Sequence, residues 1–300
     1  MLNIILVLTA ASLYGQNGTV LSQYMQNSLP LNPAFAGSRN STSFTFSNRN
    51  QWVGLDGAPN TQTLSFHTVL KNEKLAPGLF LTNESIGISQ STGVFGNLAY
   101  RNKLRKGTLS FGIAGGVFMN KNNWTDVVTN TEGDEAIPML NERVILPDFS
   151  FGTYYFTKKY FLSFSIPFLL SHSIEGGNSI KFNNDLSNYH MHLAGGYNYK
   201  INRQWSLRPS LLAKYQHSYG AQFDINALVG YKNTLVAGVS YRTEDALLFL
   251  CRYNISKQFT AGYAFDFTLN ELSVATRGSH EITLQFDIKY RSSAANPRFF

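Results

Sequence analysis

From about Ser41 to Tyr290, apolar residues recur at every second position, in runs of about ten residues broken by Gly, Asn, Lys and Ser. A period of two marks a β-strand with one apolar and one polar face. Between Thr108 and Met119, Leu109, Phe111, Ile113, Gly115, Val117 and Met119 share one face, and Thr108, Ser110, Gly112, Ala114 and Gly116 the other. The last run is the clearest: His280, Ile282, Leu284, Phe286, Ile288 and Tyr290 alternate with Ser279, Glu281, Thr283, Gln285, Asp287 and Lys289. Fourteen runs are delimited in this way, starting near residues 41, 61, 75, 92, 107, 148, 160, 189, 205, 221, 234, 246, 259 and 279.

Alternation alone suits a soluble β-sandwich as well as a membrane barrel. Two features select the barrel. The runs span about nine to twelve residues, the length of a tilted membrane-crossing strand, whereas globular strands cluster near five or six. Several apolar faces also end in aromatic residues, as in Trp205 with Tyr215 and Tyr189 with Tyr199, like the girdles at the two rims of a barrel. The expected fold is all-β, a transmembrane antiparallel β-barrel of about 14 strands over residues 41–290. With a periplasmic amino terminus, the short links 71–74, 101–106, 158–159, 200–203, 232–233 and 256–258 fall on the periplasmic side. The longer links 120–147, 169–188 and 269–278 fall outside, the asymmetry of outer-membrane barrels.

The ends of the chain read differently. Residues 1–15, MLNIILVLTAASLYG, join a short apolar core to small residues and are too short to cross a bilayer. They are expected to form a secretory signal peptide, cleaved near Gly15 or after Ser12. Residues 16–40, with the turn formers Asn32-Pro33 and Ala36-Gly37, form a non-strand segment that either tucks into the lumen or sits at the periplasmic mouth. Residues 291–300 make a carboxyl-terminal tail.

Composition agrees with a lipid-facing wall. Charged residues make up 14% of the 300 residues, against roughly 25% in soluble domains, and aromatic residues another 14%. A mean hydropathy of -0.15 argues against a bundle of apolar spanning helices. The single cysteine excludes an internal disulfide framework.

The net charge of +7 is unevenly divided. The inner turns carry Lys71, Lys74, Arg101, Lys103, Arg105, Lys106, Lys158, Lys159, Lys200, Arg203, Lys232 and Lys257 against one acid, Glu73, while the outer loops lean acidic. The first ten of these cations are either ordinary solvated turn residues or a periplasmic docking rim. On inward faces Arg208, Lys214, Asp224, Arg242, Asp266, Glu281, Asp287 and Lys289 alternate in sign. They form a candidate lumen charge network that either packs the barrel shut or lines a selective channel, with Glu281 meeting Arg242 or Arg208.

Signals for catalysis are weak. His190 and His192 share a strand face but lack a third metal ligand, which favours ordinary lumen hydrogen bonding. His280 and Glu281 are strand neighbours and point to opposite faces. Asp126, Glu132, Asp134 and Glu135 lack the spacing of a calcium loop. No serine is singled out by spacing for a barrel hydrolase, and no phosphate-binding loop or nucleic-acid motif is present. The expectation is a non-enzymatic protein without a cofactor and without a nucleic-acid partner.

The segment Gln23-Tyr24-Met25, Asn27 and Leu31-Asn32-Pro33-Ala34-Phe35-Ala36-Gly37-Ser38 is followed by Arg49-Asn50-Gln51-Trp52-Val53-Gly54 and Gly57-Ala58-Pro59. Farther on come Lys214-Tyr215, Tyr241-Arg242, Gly278-Ser279-His280-Glu281-Ile282 and Asn296-Pro297-Arg298-Phe299-Phe300. In this order, over essentially the whole mature chain, the pieces resemble the PorP/SprF family of Bacteroidetes outer-membrane proteins, with Asn32, Pro33, Ala34, Gly37, Trp52 and Gly57 as its motif residues. The resemblance implies a multi-pass barrel of the outer membrane that serves type IX secretion and gliding. Its implied partners are outer-membrane lipid, other machine components, and a secreted effector or adhesin with a carboxyl-terminal sorting domain, which it helps to export or to hold at the surface. A passive or hydrophobic-solute transport channel is the alternative.

Overall fold

The computed structural model describes residues 21–124, 142–170, 172–175, 179–182, 188–218 and 220–288. The expected signal peptide, the acids Asp126, Glu132, Asp134 and Glu135, Lys289 and the carboxyl-terminal tail lie outside the described residues. The strands are β1 (Thr42–Asn50), β2 (Asn60–His67), β3 (Leu75–Ile86), β4 (Ser89–Lys103), β5 (Thr108–Asn122), β6 (Glu142–Phe156), β7 (Tyr160–Ile166), β8 (His172–Glu175) and β9 (Ser179–Phe182). They continue as β10 (Met191–Tyr197), β11 (Tyr199–Lys200), β12 (Trp205–Gln216), β13 (Gly220–Tyr231), β14 (Leu235–Arg242), β15 (Ala246–Asn254), β16 (Phe259–Thr268) and β17 (Ser279–Ile288).

Each wall strand pairs antiparallel with its neighbours, β1 pairs with β17, and β10 bridges β7 and β12, so the sheet closes on itself without an edge. Because β10 and β11 are one strand interrupted at Asn198, and β8 and β9 form a separate hairpin, the wall has 14 strands. The four longest links, 51–59, 123–141, 167–190 and 269–278, share the outer end, although 87–88, 217–219 and 243–245 at that end are as short as the inner turns.

Alternation sorts side chains between lipid and lumen. Ile113, Ile145, Leu162 and Leu193 point outward and are 57–61% exposed, as apolar groups are where lipid is the solvent. Many inward positions are small or polar, such as Ser47, Thr63 and Thr283, and are buried; the larger inward side chains are those that meet residues 21–41. Two strands begin earlier than the alternation indicates, β4 at Ser89 and β6 at Glu142. There Ser89, Gln90 and Ser91 pair with Asn122, Lys121 and Asn120. Both faces of β4 are polar here, and in β6 Val144, Ile145 and Leu146 are apolar in succession, so neither stretch shows a period of two. The link expected at 120–147 is correspondingly shorter, and the one at 169–188 contains the β8–β9 hairpin.

Residues 21–41 lie inside the barrel, and almost all are buried. The segment starts beside Glu281 and Asp266, in the outer half of the lumen, and reaches the periplasmic mouth near Ala76 and Arg101. Three apolar clusters seat it on three sectors of the wall: Leu21, Tyr24 and Met25 against Leu212, Leu228, Val236 and Leu250; Leu29 and Ala36 against Phe80 and Phe95; Ala34 and Phe35 against Tyr154, Phe156 and Phe161. Glycines make room for its backbone, since a Cβ on Gly112 would run into Ala34 and one on Gly152 into Asn32. At Gly37, φ is +71°, and a Cβ would stand 2.5 Å from that of Ala76, so both backbone conformation and space call for glycine.

Gly112→Val should therefore lift the segment off the wall without opening the strand ladder. Overpacking of this kind costs about 1–3 kcal/mol. Limited proteolysis of the detergent-solubilised barrel should show faster cleavage within residues 21–40, with the heat-modifiable gel mobility of the barrel retained.

Candidate functional site

At its outer end the buried segment is held by a continuous charged network. Glu281 accepts the backbone N–H groups of Ser22 at 2.6 Å and Gln23 at 3.1 Å. Arg49 lies 2.7 Å from Asp266 and 3.7 Å from Glu281. The Ser22 hydroxyl accepts from Arg49 and donates to Asp266, at 2.6 and 2.7 Å. Farther along the wall Arg242 grips both oxygens of Asp224, its cross-strand partner, at 3.0 and 3.3 Å, and reaches Asp245 at 3.4 Å and Asp266 at 4.0 Å. Lys214 closes the chain 3.3 Å from Asp224. Arg49, Arg242, Asp224, Asp266 and Glu281 are at most 2% exposed, so each charge depends on its neighbours rather than on water.

Further along the segment the contacts are neutral. Asn226 donates to the Tyr24 hydroxyl at 2.7 Å, and burial, with Asp224 nearby, pushes the Tyr24 phenol above its ordinary range. Asn27 donates to Thr63 at 2.8 Å and accepts from Ser65 at 2.6 Å. Asn32 caps the short turn of Pro33, Ala34 and Phe35 through the Ala34 N–H, while its amide donates to Thr153, Ser163 and Phe164. At the inner end Arg39 donates to the Gln26 carbonyl at 2.8 Å and lies 4.0 Å from Asp287. Burial presses the Arg39 guanidinium below its ordinary range, against the pull of Asp287.

Two parts of the expected network are corrected. Glu281 is paired with Arg49 and backbone N–H groups, not with Arg242 or Arg208. Arg208 sits near the inner end of β12, donating to Ser206, and Asp287 sits near the inner end of β17 with Arg39 and Ser41. Neither joins the outer cluster of Lys214, Asp224, Arg242 and Asp266, because strand direction sets them most of a strand length apart. Arg39, Arg49 and Asp245 also carry these contacts, although the expected network lacks them. Arg49 was signalled by the inward alternation of Ser43, Thr45 and Ser47, but Arg39 and Asp245 lie where no period operates.

The rim needs one correction. Lys71, Lys74, Lys103, Arg105, Lys106, Lys158, Lys159, Lys200 and Arg203 are exposed at the inner end, with Lys103 paired to Glu73. Arg101 is not among them. It follows Phe95, Asn97 and Ala99 on the inward face of β4, is 2% exposed, and donates to Asn40 at 2.6 Å. His192 faces Lys214 across the β10–β12 ladder, and the His190 ring meets Phe168 at 5.9 Å. Burial holds the His190 imidazole below its ordinary range. Among the described residues no three His, Cys, Asp or Glu side chains are grouped to hold a metal.

A family model described as type IX secretion system membrane protein PorP/SprF matches residues 14–286. The chain belongs to the PorP/SprF family. It is a multi-pass outer-membrane protein. No curated protein matches it significantly. Among solved structures it is similar to the Ralstonia pickettii toluene transporter TbuX, with a TM-score of 0.55 and 11% identity over 88% of this chain and 94% of that one. It is also similar to the CymD monoaromatic hydrocarbon channel, with a TM-score of 0.52 and 11% identity over 94% and 96%. At that identity the likeness concerns the barrel fold. The motif residues of this PorP/SprF member fall in two places. Asn32, Pro33, Ala34 and Gly37 fasten the buried segment to the wall, whereas Trp52 and Gly57 belong to the outer loop 51–59. That loop is zipped to 269–278 by Val53 and Arg277, and Trp52 donates its N–H to Ser279 at 3.0 Å.

Arg49→Met should leave Glu281 buried without its cation and Asp266 with only Arg242, 4.0 Å away. Breaking a buried pair from one side costs about 3–5 kcal/mol. Denaturant unfolding in detergent should show a loss of that order, with Arg49→Lys intermediate.

Proposed function

We propose that this PorP/SprF protein is a plugged, non-catalytic barrel that helps a partner effector with a carboxyl-terminal sorting domain to be exported or held at the cell surface, acting through its faces and not through its lumen. The observation that carries this reading is the filled interior. Among the described residues, two cavities between the buried segment and the wall, one beside Met25 and Leu228 and one beside Tyr24 and His192, each measure about 30 Å³. That is room for a water or two, where benzene occupies a cavity of about 150 Å³. The exposed cations of the inner turns, against the single acid Glu73, supply a predominantly positive periplasmic surface suited to acidic components of the machine. Hydrocarbon transport, the role of TbuX and CymD, would require the segment to leave the lumen and its charged network to be broken.

Affinity purification from solubilised outer membranes tests the reading. The wild-type barrel should carry an effector or periplasmic type IX components with it. Changing Lys103, Arg105 and Lys106 together to Ser should reduce those partners several-fold while the barrel stays folded. Unchanged partners together with unchanged secretion would refute the rim's part in docking.

A further inference from the structure

At the periplasmic mouth the wall strand breaks at Asn198, between β10 and β11, and beside the break lies a cleft of about 520 Å³. It is lined by Asn198, Lys200, Arg203, Trp205, Ser206 and Asn233, among others. Its walls are rigid turns. Asn198 donates its backbone N–H to Lys159 at 2.6 Å, and the Asn202 side chain accepts the N–H groups of Gln204 and Trp205 at 2.8 and 2.9 Å. The Gln204 carbonyl accepts the Lys232 N–H at 2.7 Å, tying this turn to the next hairpin. A preformed cleft spares a ligand the cost of ordering loops.

Three features describe what would fit. Lys200 and Arg203 are exposed cations on the lip, and a guanidinium is matched to a carboxylate. Trp205 offers an indole 43% exposed, its ring 4.6 Å from that of Tyr231. Asn198 is 3% exposed, and its side-chain carbonyl has no hydrogen-bond partner. A buried oxygen of this kind calls for a donor. A backbone N–H with a carboxylate a short distance away meets both requirements, and an extended acidic peptide repeats that pair along its length. The cleft runs from Trp205 on the outward face to Ser206 on the lumen face.

We propose that this cleft binds an extended acidic peptide segment of a periplasmic partner, Arg203 and Lys200 taking a carboxylate and Asn198 accepting a backbone N–H. The proposal rests on the reading of the basic inner rim as a partner surface, and narrows it to one place on that rim. The test uses the full chain in neutral detergent micelles and a fluorescent hexaglutamate peptide, with binding read by anisotropy. Lys200→Gln with Arg203→Gln should weaken binding about ten-fold or more, and Asn198→Ala, which removes no charge, about three-fold or more. Lys71→Gln with Lys106→Gln removes the same charge elsewhere on the rim and should change binding less than about two-fold. Retained heat-modifiable mobility identifies folded variants, and the Lys200 and Arg203 pair, being exposed, decides the matter if Asn198→Ala fails to fold. Equal weakening by the two charge-removing pairs would overturn the proposal while leaving the general rim intact. So would displacement of the peptide by phosphatidylglycerol-doped micelles, which would assign the cleft to lipid. Absence of peptide binding, with partners still co-purifying through Lys103, Arg105 and Lys106, would reject the cleft alone.

Discussion

The inside of a closed barrel widens with strand number, and side chains alone fill it only up to about eight strands. A wall of 14 strands leaves a space that must hold water or more protein. Here it holds residues 21–41 of the chain itself. Much of the rest follows from that constraint. The wall carries glycine where the backbone of the segment passes closest, three apolar clusters where its Leu, Met and Phe side chains land, and ionic groups where it must be held against slipping.

The ionic groups are an expensive way to hold a segment, since burying a carboxylate or guanidinium costs several kcal/mol unless its partners are well placed. The network meets that condition through geometry. Arg242 holds Asp224 with two nitrogens, Arg49 bridges Asp266 and Glu281, and Glu281 takes two backbone N–H groups from the segment itself. Those last bonds couple the segment to the wall directly. If Ser22 and Gln23 leave, Glu281 loses two donors and the Ser22 hydroxyl vacates its place between Arg49 and Asp266, so displacement is opposed by the electrostatics of the whole cluster. At the inner end Arg39, Asp287, Asn40 and Arg101 fasten the chain just before it enters β1. A component built this way offers its partners surfaces fixed at both ends of one rigid body.

Legibility followed periodicity. Wherever lipid lies outside and the lumen inside, period two is enforced, and the runs around Leu109, Phe223 and Ile282 coincide with β5, β13 and β17. The pattern fades at the outer end of β4, where both faces are polar, and at that of β6, where Val144, Ile145 and Leu146 are apolar in succession, so both read as loop. Arg101 adjoins a lysine-rich turn and resembles part of it, although its alternation with Asn97 and Ala99 is inward. The inner contacts of residues 21–41 have no periodic signal at all, since that segment is irregular apart from the short turn at Pro33–Phe35 and its partners are scattered along the chain, with Thr63 lying 36 residues from Asn27 and Glu281 lying 259 from Ser22. Its turn formers were visible, but two locations were compatible with them. Only the folded wall shows that Gly112 and Gly152 leave a space shaped for Asn32 and Ala34. The cleft at Asn198 is a product of register and was beyond reach of the sequence.

The central claim is that residues 21–41 fill the lumen and keep it closed. Single-channel recording of the purified full-length protein in planar bilayers tests it most directly. The account predicts no steady open level at moderate voltage for the wild-type chain, and sustained openings once the segment is unfastened by Arg49→Met together with Asn32→Ala. A steady open level in the wild-type protein would contradict it.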